Sequence, residues 1–314
     1  MSCLIYFLLP KAAQLIATVI YSLSGTIAAL GNTFCLIVLW QPSQRSKSNK
    51  ILTSLAISDC IVGYVCFPLA IWLINFSQKS DTPTCVISVT FIFFTLWMVS
   101  CSTCSIILIS YDRYILITKS SRYDDILTDR KIYIIMASYW FVTLIFSIIC
   151  VFKRLVYYLA SPLIIIVSVI LLSTSYYFVW KAFQQSGKRI SELSAIGNNN
   201  VEAQKRLKKS QRLAKKVLTL IIFYLAAFVP TIIFIIISLV QQSKPELVSD
   251  NLLMYTYLIM TYIGLSNSCC NFFIYILKDP EFKTACTRLL RRSGVVRPSN
   301  NTIRQSNANS GNIQ

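Results

Sequence analysis

Charge is absent from seven long stretches of this chain, and that limits what it can become. Apart from Asp59, residues 12–44, 51–78, 82–111, 132–152, 155–180, 217–243 and 251–277 hold no Asp, Glu, Lys or Arg. Each stretch is about as long as a helix needs to cross roughly 30 Å of hydrocarbon. No water is available there, so backbone N–H and C=O groups must pair within the segment, which makes the spans helices. Buried helices of a soluble protein do not fit, because seven such runs in succession leave no amphipathic helix to face water. The predicted fold is all-α and membrane-embedded, a seven-transmembrane helix bundle. Its helices are expected at 12–41, 51–75, 84–117, 131–152, 155–183, 211–241 and 252–277, with a short amphipathic eighth helix at 279–291.

The charges that remain are placed asymmetrically. The net charge is +18, and 25 of the 30 Lys and Arg residues fall in 42–50, 113–131, 181–216 and the stretch from Lys278 onward. The opposite side holds Lys11, Lys79, Lys153, Arg154 and Lys244. The positive-inside rule then places the N-terminus outside and the C-terminus in the cytoplasm of a multi-pass membrane protein, for which the plasma membrane is the expected location. Charge spread over short loops points to membrane lipids and acidic cytoplasmic partners rather than to nucleic acid. Residues 1–11 read as a short extracellular N-terminus, 12–291 as the bundle with its eighth helix, and 292–314 as a disordered, Asn- and Ser-rich cytoplasmic tail.

Only Lys153 and Arg154 interrupt the apolar stretch from Ile132 to Trp180. One helix of that length would span about two bilayers, so two crossings with almost no outer loop are expected. There is no histidine. That removes the usual zinc ligand, general base and physiological-pH switch. No paired carboxylates lie within the spans, so no enzyme is expected, and a proton pump fails for want of intramembrane acids beyond Asp59. The pair Cys101 and Cys104 reads as packing within a helix rather than as metal ligands.

The third span ends on Ser110-Tyr-Asp-Arg-Tyr-Ile-Leu-Ile117, with Asp112, Arg113 and Tyr114 at its inner end. An acid–base pair that close to a membrane core is costly unless it is used. With Gly31-Asn32, Leu55-Ala-Ile-Ser-Asp59, Trp140, Pro230, Asn271-Phe-Phe-Ile-Tyr275 and Phe282, the chain resembles the rhodopsin-like G-protein-coupled receptors over residues 12–291. The stretch from Asp112 to Lys131 looks most like the adenosine, melanocortin and cannabinoid branch. The short outer loop between helices 4 and 5 looks melanocortin-like.

The resemblance implies roles for particular residues. Asp112 would neutralise Arg113 at rest, and activation would free Arg113 to meet a heterotrimeric G protein, Tyr176 and Tyr275. Pro230 would kink helix 6 into a lever, with Phe228 at the tryptophan position two residues before it. No cofactor is implied beyond an allosteric sodium ion, mapped to Asp59, Ser102, Asn267, Ser268 and Asn271. One disulfide is implied at the outer end of helix 3, from Cys85 to Cys150 or to its rival Cys3. Asn75 opens a glycosylation sequon, Cys286 in the eighth helix is a palmitoylation candidate, and tail serines would serve receptor kinases and arrestin.

The chain also departs from the resembled pattern. Phe272 replaces the proline after Asn271, and Ser210 stands where many members carry an acid that locks the arginine, so raised basal activity is expected. The positions that would line a ligand pocket are Thr95, Ile92, Phe228 and Leu265, none of them charged. An unidentified neutral or lipid-like small molecule is the expected ligand. The alternative is a receptor-like protein without G-protein coupling.

Overall fold

The computed structural model describes residues 9–42, 46–77, 82–119, 122–195, 250–278 and 280–292, with parts of 215–249. Among them there is no strand. α1 spans Lys11–Leu39, α2 Lys47–Phe76, α3 Thr82–Thr118, α4 Asp129–Phe152 and α5 Arg154–Ala195. The described residues from 215 to 243 are helical and include the apolar segment α6, Val229–Ser238. α7 is Asp250–Lys278 and α8 is Pro280–Arg292.

Among the described residues, α1 to α4 and the Ile166–Ser186 part of α5 are long and apolar enough to cross a membrane. α7 has 29 residues and no charge between its ends. At 1.5 Å per residue it extends about 43 Å, enough for a crossing.

Helix starts follow their caps. α2 begins at Lys47 rather than 51 because the Ser46 hydroxyl accepts from the Asn49 N–H at 3.2 Å. α4 begins at Asp129 because Thr128 accepts from the Lys131 N–H in the same way. Each cap satisfies a donor that the first helical turn leaves unpaired. α5 runs on to Ala195, carrying its helix past the apolar segment.

The expected absence of an outer loop between α4 and α5 is what the backbone shows. Lys153 alone is non-helical there, with φ −118° and ψ 87°. The helices then run antiparallel. Ile132 near the start of α4 packs with Ile109 and Leu127, while Val179 and Ala182 far along α5 pack with Ile117.

α3 lies at the centre, against α2, α4 and α5, while α1 packs on α2 and α7. Small polar groups stitch α2, α3 and α4 together. The Tyr139 hydroxyl meets Ser54 at 2.7 Å and Ser105 at 2.9 Å, and the Trp140 indole N–H donates to Ser54 at 2.8 Å.

α2 contains a π-helical turn, Val62–Cys66, that the hydrophobic pattern does not announce. Pro68 stands two residues beyond its end. Proline has no N–H to give the carbonyl four residues back, and the wider turn absorbs that defect. The turn presses Gly63 onto α1: a Cβ there would lie 2.4 Å from the Ala29 backbone nitrogen.

α7 is laced to α1 along its length. Tyr21 donates to the Leu258 carbonyl at 2.9 Å, Ser24 meets the Tyr262 hydroxyl at 3.0 Å, and Asn32 donates to the Ser268 carbonyl at 2.9 Å. Phe272 sits over Gly31, where a Cβ would come within 2.8 Å of its ring, and meets Phe34 edge-on at 6.4 Å. The bulky residue that replaces proline after Asn271 is thus housed by a glycine on α1. α8 buries Phe282 and Ala285 against Cys35, Val38 and Leu39 of α1 and Ala56 of α2.

Candidate functional site

Two polar centres are buried in this apolar bundle, and α3 contributes to both. The first is at its Arg113 end. Arg113 is 6% exposed and Asp112 fully buried, with the guanidinium Nε 3.3 Å from the carboxylate. Burial rules out an arginine that merely snorkels to the membrane edge. A buried ion pair survives only when its remaining lone pairs are also satisfied, and here they are. Ser48 on α2 donates to Asp112 Oδ2 at 2.7 Å, and Tyr123 donates to Oδ1 at 2.6 Å.

Tyr123 stands on the single helical turn Tyr123–Ile126 that links α3 to α4. Burial raises its phenol pKa above the ordinary value and the Asp112 charge raises it further, so it stays a donor throughout the physiological range. The turn is held in place by charge. Lys47 pairs with Asp124 and lies 5.0 Å from the Tyr123 ring centroid, and Lys50 pairs with Asp129 at 2.8 Å. Exposed pairs such as these contribute little individually; their effect is to fix where Tyr123 stands.

The second centre is Asp59 on α2, fully enclosed. Asn271 donates to its Oδ2 at 2.6 Å, and Ser268 and Ser102 donate to Oδ1 at 2.8 and 3.2 Å. Ser58 meets Ser102 at 2.8 Å. One carboxylate therefore joins α2, α3 and α7. Asn32 fixes Ser268 from α1, and its own Oδ1 is buried without a hydrogen-bond partner. One formal charge, several hydroxyl oxygens and an unsatisfied buried carbonyl suit a hard cation.

The residues expected from the sequence fare unevenly. Asp59, Ser102, Ser268 and Asn271 come together. Asn267 is buried on α7, but none of the hydrogen bonds to Asp59 comes from it. Tyr114 packs edge-on to Phe178 at 5.9 Å, and Tyr176 stacks on Trp180 at 6.2 Å. Pro230 lies within α6. Phe228 and Ser210 lie outside the described residues, as does the Tyr275 side chain. Ile92 and Leu265 are buried, and Leu265 belongs to the close-packed cluster with Phe67 and Met98. Thr95 is half-buried. Cys286 is half-buried against the α1–α8 cluster.

One expectation is corrected. Cys85 is disulfide-bonded, but Cys150 is a free buried thiol, so the Cys85–Cys150 bridge does not form. With the α4–α5 connection reduced to Lys153, Cys150 stays inside α4. No loop carries it the few ångströms from Cys85 that a bridge requires. Cys3, the rival partner, lies outside the described residues. The Asn75 amide nitrogen, the atom a glycan would join, donates to Thr18 at 2.7 Å and to the Ile71 carbonyl at 2.8 Å within the last turns of α2.

Sequence reasoning missed Ser48 and the part Tyr123 plays. A serine between two lysines at a helix start carries no distinctive signal. Tyr123, eleven residues beyond Asp112, was visible as part of a pattern, but its target was not.

A buried Asp–Arg pair thus lies at one end of this helical bundle, and an enclosed carboxylate lies where α2, α3 and α7 meet. Residues 31–158 match the family described as 7 transmembrane receptor (rhodopsin family). That stretch is thus similar to the rhodopsin-like seven-transmembrane receptors. The chain is 30% identical over 134 residues to Probable G-protein coupled receptor 45 of Homo sapiens, covering 42% of this chain and 34% of that one. It is 32% identical over 138 residues to the High-affinity lysophosphatidic acid receptor of Xenopus laevis, covering 43% and 35%. A longer, weaker similarity reaches Adenosine receptor A2b of Gallus gallus, 21% over 313 residues, covering 85% and 86%. The chain thus spans about a third of the length of the first relatives it matches.

Proposed function

We propose that this chain is a plasma-membrane G-protein-coupled receptor, with its N-terminus outside and its C-terminus in the cytoplasm. It binds a small-molecule or lipid-like ligand from outside and activates heterotrimeric G proteins inside. It has no catalytic role. The observation that carries this reading is the Arg113 centre, a buried cation held by Asp112, Ser48 and Tyr123 at the basic end of the bundle. An agonist acts by binding the state with Arg113 released better than the resting state, and so shifts the population towards it.

The relatives' names mention lysophosphatidic acid, 5-hydroxytryptamine, neuropeptide F and adenosine. Such different ligands leave the choice to the pocket residues, and Thr95, Ile92 and Leu265 offer no fixed charge. That favours a neutral or lipid-like molecule. Asp59, Ser102, Ser268 and Asn271 would hold a sodium ion, which supplies a positive charge against the carboxylate and favours the resting arrangement of α2, α3 and α7. Receptor kinases and arrestin would act on the tail, and membrane lipids on the basic loops.

The test is ligand-free G-protein activation in cells across the Gα classes, with surface expression held equal. Arg113→Ala is expected to remove all activity above background. Activity that survives Arg113→Ala would refute the assigned role. No activation by any Gα class, with the chain at the surface, would favour the receptor-like reading without coupling, for which the docking of Phe272 on Gly31 is the supporting observation.

A finer prediction concerns Tyr123. Tyr123→Phe leaves one Asp112 oxygen without its donor, which weakens the resting state by about 1 kcal/mol, or about fivefold in the resting-to-active ratio. Basal signalling should rise. Ser48→Ala should do the same, and the double variant should fall short of the sum because both donors serve one carboxylate. Fully additive effects would show that the two residues act separately.

A further inference from the structure

Tyr123 meets Asp112 from a turn that has little of its own to hold it. Tyr123–Ile126 is one helical turn, with no buried residue and no side-chain cap at its start. A single turn fixes more backbone than its hydrogen bonds repay, so it does not persist unaided. Leu127 anchors one end of it by clustering with Ile109 and Ile132. The Lys131 ammonium donates to the Ile126 carbonyl at 3.0 Å. Both act at the far end of the turn from Tyr123, which itself only borders the Leu127 cluster.

What reaches the Tyr123 end is the start of α2. Lys47 pairs with Asp124, and its ammonium stands 5.0 Å from the centroid of the Tyr123 ring. A cation over the face of an aromatic ring is attracted by the ring quadrupole. Lys50, nearly one turn further on, pairs with Asp129 at 2.8 Å and stands 5.1 Å from the Tyr133 centroid. The two pairs are lopsided. The Lys47 and Lys50 side chains are 18% and 23% exposed, whereas those of Asp124 and Asp129 are 86% and 54% exposed. An exposed ion pair gains little because flexible side chains must be ordered to form it. Here the long lysine stems already lie against protein, so less ordering is needed. Ser48, the next residue after Lys47, donates to Asp112 Oδ2. Two consecutive residues of α2 thus hold the two partners of one hydrogen bond, Ser48 the carboxylate and Lys47 the tyrosine.

We propose that Lys47 is a positioning residue for the Arg113 centre, with Lys50 in support. It acts through Tyr123: its charge and its place over the ring keep the turn against α2, and so keep the phenol on Asp112. Without that cation the turn drifts from α2, and Asp112 Oδ1 loses its donor for a larger share of the time. The signalling consequence rests on the function proposed above, in which a weaker resting state means higher basal activity. The effect has a ceiling. Lys47 contributes no more than the hydrogen bond it maintains, so the rise should stay within the roughly fivefold change expected for Tyr123→Phe. For the same reason a Lys47 substitution should add nothing in a Tyr123→Phe background. The acids face solvent, so added salt should loosen the contact as well.

Two readouts separate the geometry from the signalling. In the purified full-length chain, hydrogen exchange at the Leu127 N–H reports on the turn, because that group donates to the Tyr123 carbonyl at 3.0 Å. Lys47→Glu is expected to speed this exchange several-fold. Asp124→Asn, at an open position where packing is undisturbed, should speed it less. Lys47→Glu combined with Asp124→Lys should recover most of the protection, and Lys47→Arg should keep all of it. In cells, with surface expression held equal, ligand-free G-protein activation should rise in the same order, and Lys47→Glu should have no effect in a Tyr123→Phe background. A merely structural role would give additive losses and no recovery in the swapped pair. Unchanged exchange in both Lys47→Glu and Asp124→Asn, or a swapped pair no better than the single variants, would overturn the proposal. If exchange behaves as expected while no variant signals above the Arg113→Ala background, the positioning of Tyr123 stands and the receptor reading above is the part overturned.

Discussion

Gly63→Ala is expected to disrupt the bundle more than any other single-methyl change in α1 or α2. The added Cβ would lie 2.4 Å from the Ala29 nitrogen, 2.7 Å from its Cα and 2.9 Å from the Ala28 carbonyl carbon. These are backbone atoms of a facing helix, so no side chain can turn aside. Either α1 and α2 separate or the π turn is lost. Overpacking usually costs about 1–3 kcal/mol, and an obstacle made of backbone belongs at or above the top of that range. Surface expression should collapse, and the purified protein should melt well below the unsubstituted chain. Gly264→Ala is the matched control, since a Cβ there meets nothing within 4 Å. Equal melting temperatures for the two variants would show that α1 and α2 do not approach as closely as described.

Asp59→Leu is expected to be the most damaging change at a polar site. It removes the acceptor shared by Asn271, Ser268 and Ser102; Ser102 of α3 keeps Ser58 at 2.8 Å, but the α7 donors lose their carboxylate partner inside the bundle. An unsatisfied buried donor costs about 1–3 kcal/mol in water-soluble proteins, but polar contacts between membrane helices are worth less, so the total should be about 2–4 kcal/mol. Asp59→Asn keeps one acceptor oxygen and should lose much less. In a thermal-shift series with sodium and with choline as the cation, the unsubstituted chain should be stabilised by sodium and both variants should be indifferent to it. A sodium response that persists in Asp59→Leu would place the ion elsewhere.

The spans were legible in the sequence because charge desolvation acts on each residue wherever it sits. A run such as 251–277 declares itself without knowledge of its neighbours. The Asp112–Arg113 pair was legible for a related reason, since its partners are adjacent in the chain. Asp59 could be singled out as a lone acid in an apolar run, and its ring of oxygens followed from resemblance. What surrounds them was not legible. Ser48 reaches Asp112 across 64 residues and Asn271 reaches Asp59 across 212. No local pattern encodes either meeting. The Cys85–Cys150 expectation failed on the same ground, because a disulfide depends on where two helix ends lie in space.

The sequence by itself determined that the chain is a stack of apolar helices with one basic side, because hydrocarbon excludes charge and unpaired backbone one residue at a time. It also determined that almost nothing separates α4 from α5. Only the tertiary structure decided which small residues let the helices touch, at Gly63 against Ala29 and Gly31 beneath Phe272. It decided too which hydroxyls satisfy the two buried carboxylates. Those outcomes rest on close packing and hydrogen-bond geometry between segments far apart in the chain, and both become defined only when the helices meet.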